Sequence, residues 1–360
     1  MSKPSARHVL AAWLCAVVCG AGAAPFDDPL ATPAAPTAVA QNTRLMAVSA
    51  AGNSLIAVGP AGRVLRSTDQ GGTWQQMPVP LSSDLVAVRF ATAQQGWAVG
   101  HDGVVLHSAD GGRTWAKQLD GVAAARLIEA DSKRDLPAGQ PGADATRAVE
   151  VQRFVDEGAD KPLFDVLFLS DKEGFVVGAF NLAFRTQDGG QTWTSLYDRM
   201  DNPQGFHLYG LADSGKDIYV AGEQGLLRRW KRDTGRFETL NSPYKGTFFG
   251  VLAKGATVLA FGMRGNAFLS TDSGSSWKKT DTGTTSSITA GTLLADGRFV
   301  LVTQAGTVLA SDDGGASFAA LKLDRAMPYF GVASASAQSL AFVGPAGVRI
   351  ESIKQRSKPE

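Results

Sequence analysis

The residues best suited to chemistry are five aspartates that recur in one eight-residue phrase. The phrase reads S/T-x-D-x-G-x-T/S and ends on an aromatic residue. A carboxylate beside hydroxyls could bind a metal ion or act as a catalytic acid. The same residue types also build a tight turn between strands, because Asp accepts hydrogen bonds from turn amides and glycine permits a positive φ. The five Asp and aromatic pairs are Asp69 and Trp74, Asp110 and Trp115, Asp188 and Trp193, Asp272 and Trp277, and Asp313 and Phe318.

Repetition favours the structural interpretation, because one motif repeated five times cannot be five active sites. We call this phrase the Asp box. A second phrase, two short apolar runs separated by a glycine-containing turn, occurs seven times. A period in the low forties with several short strands per period is typical of four-stranded propeller blades. The sequence therefore predicts an all-β, seven-bladed β-propeller with Asp-box turns. The seven landmark positions are Gly59, Gly100, Gly178, Gly222, Gly262, Thr303 and Gly344, about 41 residues apart except for one interval of 78.

Each unit reads as four strands, here named A to D from the centre outward. In the second unit they are expected at residues 85–90, 96–100, 104–108 and 114–119, with the Asp box between C and D. The fourth unit lacks the Asp box, and Phe237 is expected to replace its Trp. The seventh unit ends after three strands. Because propellers avoid open edges, we expect an N-terminal strand within residues 37–43 to close the last blade.

The long interval contains an insertion between blades two and three, at about residues 120–160. Residues 123–130 and 145–156 have helical character, separated by a segment rich in Pro and Gly. In the second piece Ala145, Ala148, Val151 and Val155 fall on one stripe. We expect a helical hairpin that caps one face of the ring, with bracing of blades two and three as the alternative.

The N-terminus reads as an export signal. Residues 1–23 carry Lys3 and Arg7, a short apolar run and a site for cleavage after Ala23. Cleavage removes both cysteines, Cys15 and Cys19, and the residue before Cys19 does not suit a lipoprotein anchor. We expect a flexible lead-in at residues 24–36, the propeller at residues 37–360, and a periplasmic or otherwise exported protein without direct insertion into a membrane.

The composition and the absence of known catalytic motifs argue against several other classes of function. The formal net charge of +1 gives no reason to expect nucleic acid binding. Outside the signal there are three histidines and none of the HExxH, GxSxG or P-loop motifs, so we expect no metal, no cofactor and no catalysis. The main rival is a carbohydrate-binding or sialidase-like glycoside hydrolase propeller. The chain has no Arg-Ile-Pro motif, and nothing pairs acidic candidates such as Asp165 and Glu223.

Function is expected on the face opposite the Asp boxes, where the repeat becomes irregular. The B–C turns and the D–A connections emerge there, and those of blades two to five carry aromatic and polar residues. Phe164, Tyr209 and Phe249 could instead begin A strands and line the ring. The residues predicted to form a partner-binding face are His101, Asp102, Asn181, His207, Tyr209, Glu223, Gln224, Tyr244, Phe248 and Arg264.

The phrases GWAVG…DGGRTW, GFVVG…DGGQTW and AGEQG resemble those of the photosystem II stability/assembly-factor-like propellers, also described as BNR-repeat proteins. The chain is similar to exported members from non-photosynthetic bacteria. Members in photosynthetic organisms bind an early reaction-centre subunit without catalysis, and other relatives accompany membrane transporters. The resemblance implies a monomeric scaffold that presents one face to a membrane protein or to an exposed peptide segment of one.

Overall fold

Seven antiparallel sheets follow one another along the chain, which confirms the seven-bladed propeller. The computed structural model describes residues 27–132, 143–323 and 326–353. In each sheet the strands pair in chain order, from the inner strand A to the outer strand D. Six sheets have four strands, and the last has three within the described residues.

The strands of blades one to three are β1 (Ala47–Ala51), β2 (Ser54–Gly59), β3 (Arg63–Ser67), β4 (Gln75–Gln76), β5 (Leu85–Phe90), β6 (Gly96–Gly100), β7 (Val105–Ser108), β8 (Ala116–Leu119), β9 (Leu163–Phe168), β10 (Gly174–Gly178), β11 (Ala183–Thr186) and β12 (Thr194–Ser195). The expected strands of the second unit agree with β5 to β8 to within two residues.

The strands of blades four to seven are β13 (Leu208–Asp213), β14 (Ile218–Gly222), β15 (Leu227–Lys231), β16 (Arg236–Thr239), β17 (Phe248–Lys254), β18 (Thr257–Gly262), β19 (Ala267–Ser270), β20 (Lys278–Thr280), β21 (Ile288–Leu293), β22 (Phe299–Thr303), β23 (Val308–Ser311), β24 (Ala319–Leu321), β25 (Gly331–Ser336), β26 (Ser339–Gly344) and β27 (Gly347–Ser352). The B strands β6, β10, β14 and β22 are buried along their whole length. They read as continuous apolar runs because sheets pack on both of their faces.

The landmark glycines mark a close approach of two backbone segments. A Cβ atom on Gly100 would lie 1.9 Å from the carbonyl oxygen of Asp84, and one on Gly178 or Gly222 would lie 2.3 Å from that of Pro162 or His207. The connection that enters each A strand therefore crosses directly over the end of its B strand. The A strand carries a β-bulge at this crossing in blades two to six. Blade six keeps the bulge with Thr303 at the landmark position.

The Asp boxes are turns held by their own carboxylates. Asp188 accepts bonds from the Thr186 hydroxyl at 2.8 Å, the Thr192 amide at 2.9 Å and the Thr192 hydroxyl at 2.6 Å. The bonds from Thr192 and Thr186 lower the pKa of Asp188 to about 2. Hydrogen bonding within the other four boxes likewise places the pKa of each Asp at about 2. Each carboxylate is thus occupied in its own turn.

Blade four replaces the Asp box by aromatic packing. Trp230 stands where the other boxes have a Ser or Thr, and its ring lies 5.0 Å from that of Phe237. Phe237 is fully buried, so it takes the place of the box Trp as expected. The guanidinium of Arg185 from blade three lies 5.3 Å from the Trp230 ring. A cation–π contact between blades thus joins this region to its neighbour.

The prediction of an N-terminal closing strand is wrong, although the segment lies beside the last blade as expected. Ala40–Asn42 form a 3₁₀ turn beside β27. The amides of Asn42 and Thr43 bond within this turn, so they cannot form a ladder with β27. Closure rests instead on the amide of Leu45, which donates to the Gly344 carbonyl, and on apolar packing of Leu45 against blade seven.

Residues 27–36 correct the expectation of a flexible lead-in. The amide of Ala34 donates to Val79 at 3.1 Å, the amide of Ser82 donates to Pro29 at 2.8 Å, and Leu30 packs against the apolar core between blades one and two. These contacts fix the segment along blade one. The predicted signal peptide lies outside the described residues.

The insertion contains two helices, as predicted: α1 (Gly121–Ser132) and α2 (Ala143–Glu157). Ile128, Val151 and Phe154 are buried in the core shared by blades two and three. Ala148 is exposed, so the predicted stripe is wrong there because Phe154 shifts the buried face. α1 contacts β12 and the B–C turn of blade two. The insertion therefore braces these blades, which differs from the predicted cap.

We predict that acid destabilises the protein between about pH 4 and pH 2. The Asp-box carboxylates have pKa values of about 2, below the ordinary value, so their stabilisation is complete above the ordinary pKa and is lost as pH falls through the folded value. Thermal unfolding followed by circular dichroism should show the melting temperature falling in this window. Asp188→Asn should be less stable at pH 7 and should lose less than the unchanged protein on acidification. A melting temperature independent of pH in this window would contradict the assignment.

We also predict that a chain beginning at Arg44 melts at a lower temperature than one beginning at Asp27. It lacks both the segment that packs on blade one and the turn beside β27. Leu30→Ala in the longer chain separates the two losses, because it removes only the packing on blade one. Equal melting temperatures for all three proteins would show that the N-terminal segment does not stabilise the ring.

Candidate functional site

The B–C turns place strained residues on the face opposite the Asp boxes. In four consecutive blades the turn is a short 3₁₀ helix whose second residue has a left-handed backbone. The residue is Asp102 in blade two, Phe180 in blade three with φ 50°, Gln224 in blade four and Arg264 in blade five with φ 56°. Bulky residues rarely adopt this conformation, and such strain is concentrated at functional sites.

Hydrogen bonds to the next blade hold several of these turns. The amide of Phe180 donates to Nδ1 of His207 at 2.9 Å, and the amide of Arg264 donates to the Ser287 hydroxyl at 3.2 Å. The backbone carbonyl of His207 also accepts from the Glu223 amide. His207 therefore ties the turns of blades three and four together.

The bulges in the A strands turn three aromatic side chains towards the same face. In blades three, four and five the extra residue of the bulge is Phe164, Tyr209 and Phe249. The Phe164 and Tyr209 rings stack at 5.1 Å, and the Tyr209 and Phe249 rings meet edge to face at 5.8 Å. The His207 ring lies 4.6 Å from the ring of Phe180. We call Phe164, Phe180, His207, Tyr209 and Phe249 the aromatic shelf.

Polar groups of the shelf are fixed in orientation. A carboxylate oxygen of Glu223 accepts the amide of His207 at 2.8 Å. Burial and the nearby Glu223 carboxylate raise the pKa of Tyr209 above its ordinary value. The Tyr209 hydroxyl is therefore a neutral hydrogen-bond donor at physiological pH, and it lies near the carboxylate of Glu223.

Asp165, an acidic candidate from the sequence, has a structural role. One carboxylate oxygen accepts from Arg89 at 2.6 Å and from the Leu211 amide at 2.8 Å, and the other accepts from the Val166 amide at 2.9 Å. Burial raises the pKa of Asp165, while Arg89 and the amides oppose that effect. The bonds join the inner strands of blades two, three and four beneath the shelf.

A pocket of about 210 Å³ adjoins the shelf between α2 and the loop that precedes blade four. The ring of Phe154 meets that of Tyr197 at 5.6 Å, and the ammonium of Lys161 lies 5.1 Å from the Phe154 ring. Phe180 belongs to both the pocket and the shelf. The pocket is lined by Glu150, Arg153, Phe154, Lys161, Phe180, Tyr197, Gln204 and Gly205.

Two buried amide side chains hold the wall of this pocket. The side chain of Asn202 donates to the side-chain oxygen of Asn181 at 2.9 Å, and Asn181 donates to the carbonyl of Tyr197 at 2.8 Å. Asn181 is 3 % exposed. The prediction that it contacts a partner is therefore wrong, and it acts as an internal support for Phe180 and Tyr197.

The structure brings together only some of the other predicted residues. His207, Tyr209 and Glu223 meet at the shelf, whereas Phe248 is fully buried and cannot touch a partner. Tyr244 is half-buried, and its hydroxyl donates to the Met263 carbonyl at 3.2 Å. Gln224 and Arg264 are exposed on neighbouring turns, and His101 and Asp102 occupy the equivalent turn of blade two.

Three shelf residues were not among those predicted to form the partner-binding face: Phe164, Phe180 and Phe249. Phe180 adjoins the predicted Asn181, and Phe249 adjoins the predicted Phe248. Phe180 is 44 % exposed. The available signal was the second position of the B–C turn, which is shared with Asp102, Gln224 and Arg264. Phe249 differs from Phe248 only by the register of the bulge.

Two kinds of feature are absent from residues 27–132, 143–323 and 326–353. Among them no three His, Cys, Asp or Glu side chains are grouped so that they could hold a metal ion. None of the helices in these ranges combines the length and apolar character needed to cross a membrane.

Comparison with known proteins places the chain among propellers of one family. The model of the family described as Photosynthesis system II assembly factor YCF48 matches residues 71–132 and 145–318. The chain is 26 % identical over 154 residues to the Photosystem II assembly lipoprotein Ycf48 of Synechococcus sp. (strain CC9902). That match covers 41 % of this chain and 45 % of the relative, so the chain spans less than half the length of that protein.

Solved structures share the fold. YCF48 bound to D1 peptide is 15 % identical with a TM-score of 0.62, covering 88 % of this chain and 95 % of that one. YCF48 from Cyanidioschyzon merolae is 16 % identical with a TM-score of 0.62, covering 88 % and 97 %. The WD40 propeller domain of Doa1, at 13 % identity, covers 92 % and 97 % with a TM-score of 0.60. Since the family model matches more than half of the sequence, this chain belongs to the family of Photosynthesis system II assembly factor YCF48.

Proposed function

We propose that this protein is an exported, monomeric, non-enzymatic scaffold that holds an exposed peptide segment of a membrane protein against the aromatic shelf. The observation that carries the proposal is the exposed, left-handed Phe180 beside three aromatic rings aligned by bulges. Large exposed aromatic surface on a rigid support is typical of interaction sites. In keeping with the family resemblance, the partner belongs to an assembly process or to a membrane transporter.

Family membership supports the peptide as the class of ligand. One similar structure is YCF48 bound to D1 peptide, and the family is described as an assembly factor. We extend to this chain only the mode of binding, in which a rigid ring receives a peptide segment. The fixed orientation of His207 and Glu223 suits such a role, because binding then requires little reordering of side chains.

The carboxylates support a role without catalysis. The Asp-box carboxylates are occupied by hydroxyls and amides of their own turns, and Asp165 is occupied by Arg89 and two amides. A glycosidase needs two carboxylates that face one substrate bond. Because these carboxylates already accept hydrogen bonds from the protein itself, they favour a binding protein over a glycosidase.

Carbohydrate binding is the second candidate function. The stacked rings of Phe164 and Tyr209 favour it, because aromatic faces also bind the apolar faces of sugars. The two candidates differ in their ligands, and one set of variants can distinguish them.

We predict that the mature protein enriches a membrane protein from detergent-solubilised membranes of its own host, and that Phe180→Ser reduces this enrichment at least tenfold. The loss follows from removing the exposed ring that joins the shelf to the pocket. Affinity capture with quantitative mass spectrometry measures the effect. Lys216→Ala, exposed on an A–B turn of the other face, is the matched control and should retain enrichment.

A glycan array with the same proteins tests the alternative. Binding of glycans that depends on Phe180, together with no enrichment of any membrane protein, would replace the scaffold proposal by carbohydrate binding. Enrichment that Phe180→Ser leaves intact would place the interaction on another surface.

We predict that the protein isolated from its host begins at Ala24, because cleavage after Ala23 removes Cys15 and Cys19. Mass spectrometry of the intact protein from the periplasmic fraction measures this directly. A lipidated N-terminus at Cys19 would contradict the proposal of an exported form without a lipid anchor. The Synechococcus relative is named a lipoprotein.

A further inference from the structure

The pocket and the aromatic shelf form one continuous surface that extends to blade five. Phe180 joins the pocket to His207, and Tyr209 continues the contacts to Phe249. The turn of blade four continues the surface towards blade five: Glu223 accepts the His207 amide at 2.8 Å, and the amide of Gly225 donates to the Gly246 carbonyl at 2.7 Å. Tyr244 lies beside this contact, and its hydroxyl donates to the Met263 carbonyl at 3.2 Å. Arg264 is the next residue in the chain after Met263. We call the surface from the pocket to Arg264 the docking track.

The volume of the pocket suits one aromatic side chain, and its lining combines three aromatic residues with the charged Glu150, Arg153 and Lys161. A cavity of about 150 Å³ lined by apolar residues can hold a benzene molecule, and this pocket measures about 210 Å³. Phe154, Phe180 and Tyr197 supply aromatic walls, so an inserted ring can make edge-to-face contacts. Gln204 and Gly205 form the side nearest to blade four.

The two ends of the docking track differ in charge. At the pocket end the cations are paired: Arg153 with Glu157 at 2.6 Å, and Lys161 with Glu157 at 2.5 Å and with Asp160 at 2.6 Å. Glu150 adds a further negative charge, and the hydroxyl of Tyr197 donates to it at 3.3 Å. The pocket end therefore offers no unpaired cation among its lining residues.

The blade-five end carries free positive charge. Lys245 and Arg264 are exposed, and their side chains have no hydrogen bond or ion pair with any residue in the described ranges. Arg264 is held in a left-handed turn, and only its backbone amide is bonded, to Ser287. An arginine fixed by its backbone with a free guanidinium is well suited to bind a carboxylate.

We propose that the docking track binds an extended peptide segment that places an aromatic side chain in the pocket and an acidic side chain on Arg264. This inference rests on the proposed function and names the chemistry of the segment. The aromatic residue supplies buried contact area, and the acidic residue sets the direction in which the segment lies on the shelf.

Selection from a random twelve-residue peptide library displayed on phage tests the proposal directly, because the library samples peptides of every composition. The full mature protein is the bait. Selected peptides should contain an aromatic and an acidic residue at a constant separation. The best peptide is synthesised with a fluorophore, and its affinity is measured by fluorescence anisotropy. It should bind the Gln204→Trp variant, in which the new side chain fills the pocket, at least tenfold more weakly than the unchanged protein.

A charge-exchange experiment tests the blade-five end of the docking track. Arg264→Glu should weaken the selected peptide at least tenfold, and replacement of its acidic residue by Lys should restore binding to this variant. Lys216→Glu makes the same change of charge on the opposite face and should leave affinity within twofold. Melting temperatures of all variants confirm that each is folded.

The outcomes separate this inference from the proposed function. In one outcome the selected peptides bind the unchanged protein, bind the Phe180→Ser variant more weakly, and show no preference for an aromatic or an acidic residue. That result would overturn the docking track and leave the scaffold proposal standing. Selection of no peptide, with glycan binding instead, would overturn both. Restoration of affinity by the exchanged charges would establish contact with Arg264.

Discussion

The close approach between the end of each B strand and the connection that enters its A strand is the constraint on which the candidate site depends. At Gly100, Gly178 and Gly222 the crossing backbone leaves no room for a Cβ atom. In blades two to six the A strand carries a bulge at this crossing, with one extra residue in each bulge. In blades three to five the extra residue is aromatic, so the shelf lies where the backbone segments cross.

The two faces of the ring have separate physical roles. On the Asp-box face, the carboxylates accept hydrogen bonds within their own turns. These bonds stabilise the charged form and so lower the pKa values. On the other, strained turns hold exposed side chains, and neighbouring blades support them, as His207 does for Phe180. This division explains how a repeated fold can carry one irregular site. The uniform face stabilises the ring through its turn hydrogen bonds, and the irregular face carries the candidate site.

Much of the fold was predictable because the repeat encodes it. The spacing of Asp boxes and landmark glycines predicts seven blades and the helical insertion. Contacts between distant segments were not predictable. The 3₁₀ turn at Ala40–Asn42 lies against β27, and Phe154 rather than Ala148 belongs to the buried core that contains Ile128 and Val151. Part of the site was predicted. His207 and Tyr209 were found by their loops. Phe180 depends on a left-handed backbone, and Phe164 and Phe249 depend on the one-residue register of a bulge, which the sequence pattern leaves open.

Site-specific photocrosslinking tests the central claim that the shelf face meets a membrane protein. A photoreactive phenylalanine analogue is placed at position 180 on the shelf, or at position 191 in an Asp-box turn, in the protein produced by its own host. The account predicts a crosslink to one membrane protein from position 180 and none from position 191. Crosslinks to the same membrane protein from position 191 alone would contradict it and would assign binding to the Asp-box face.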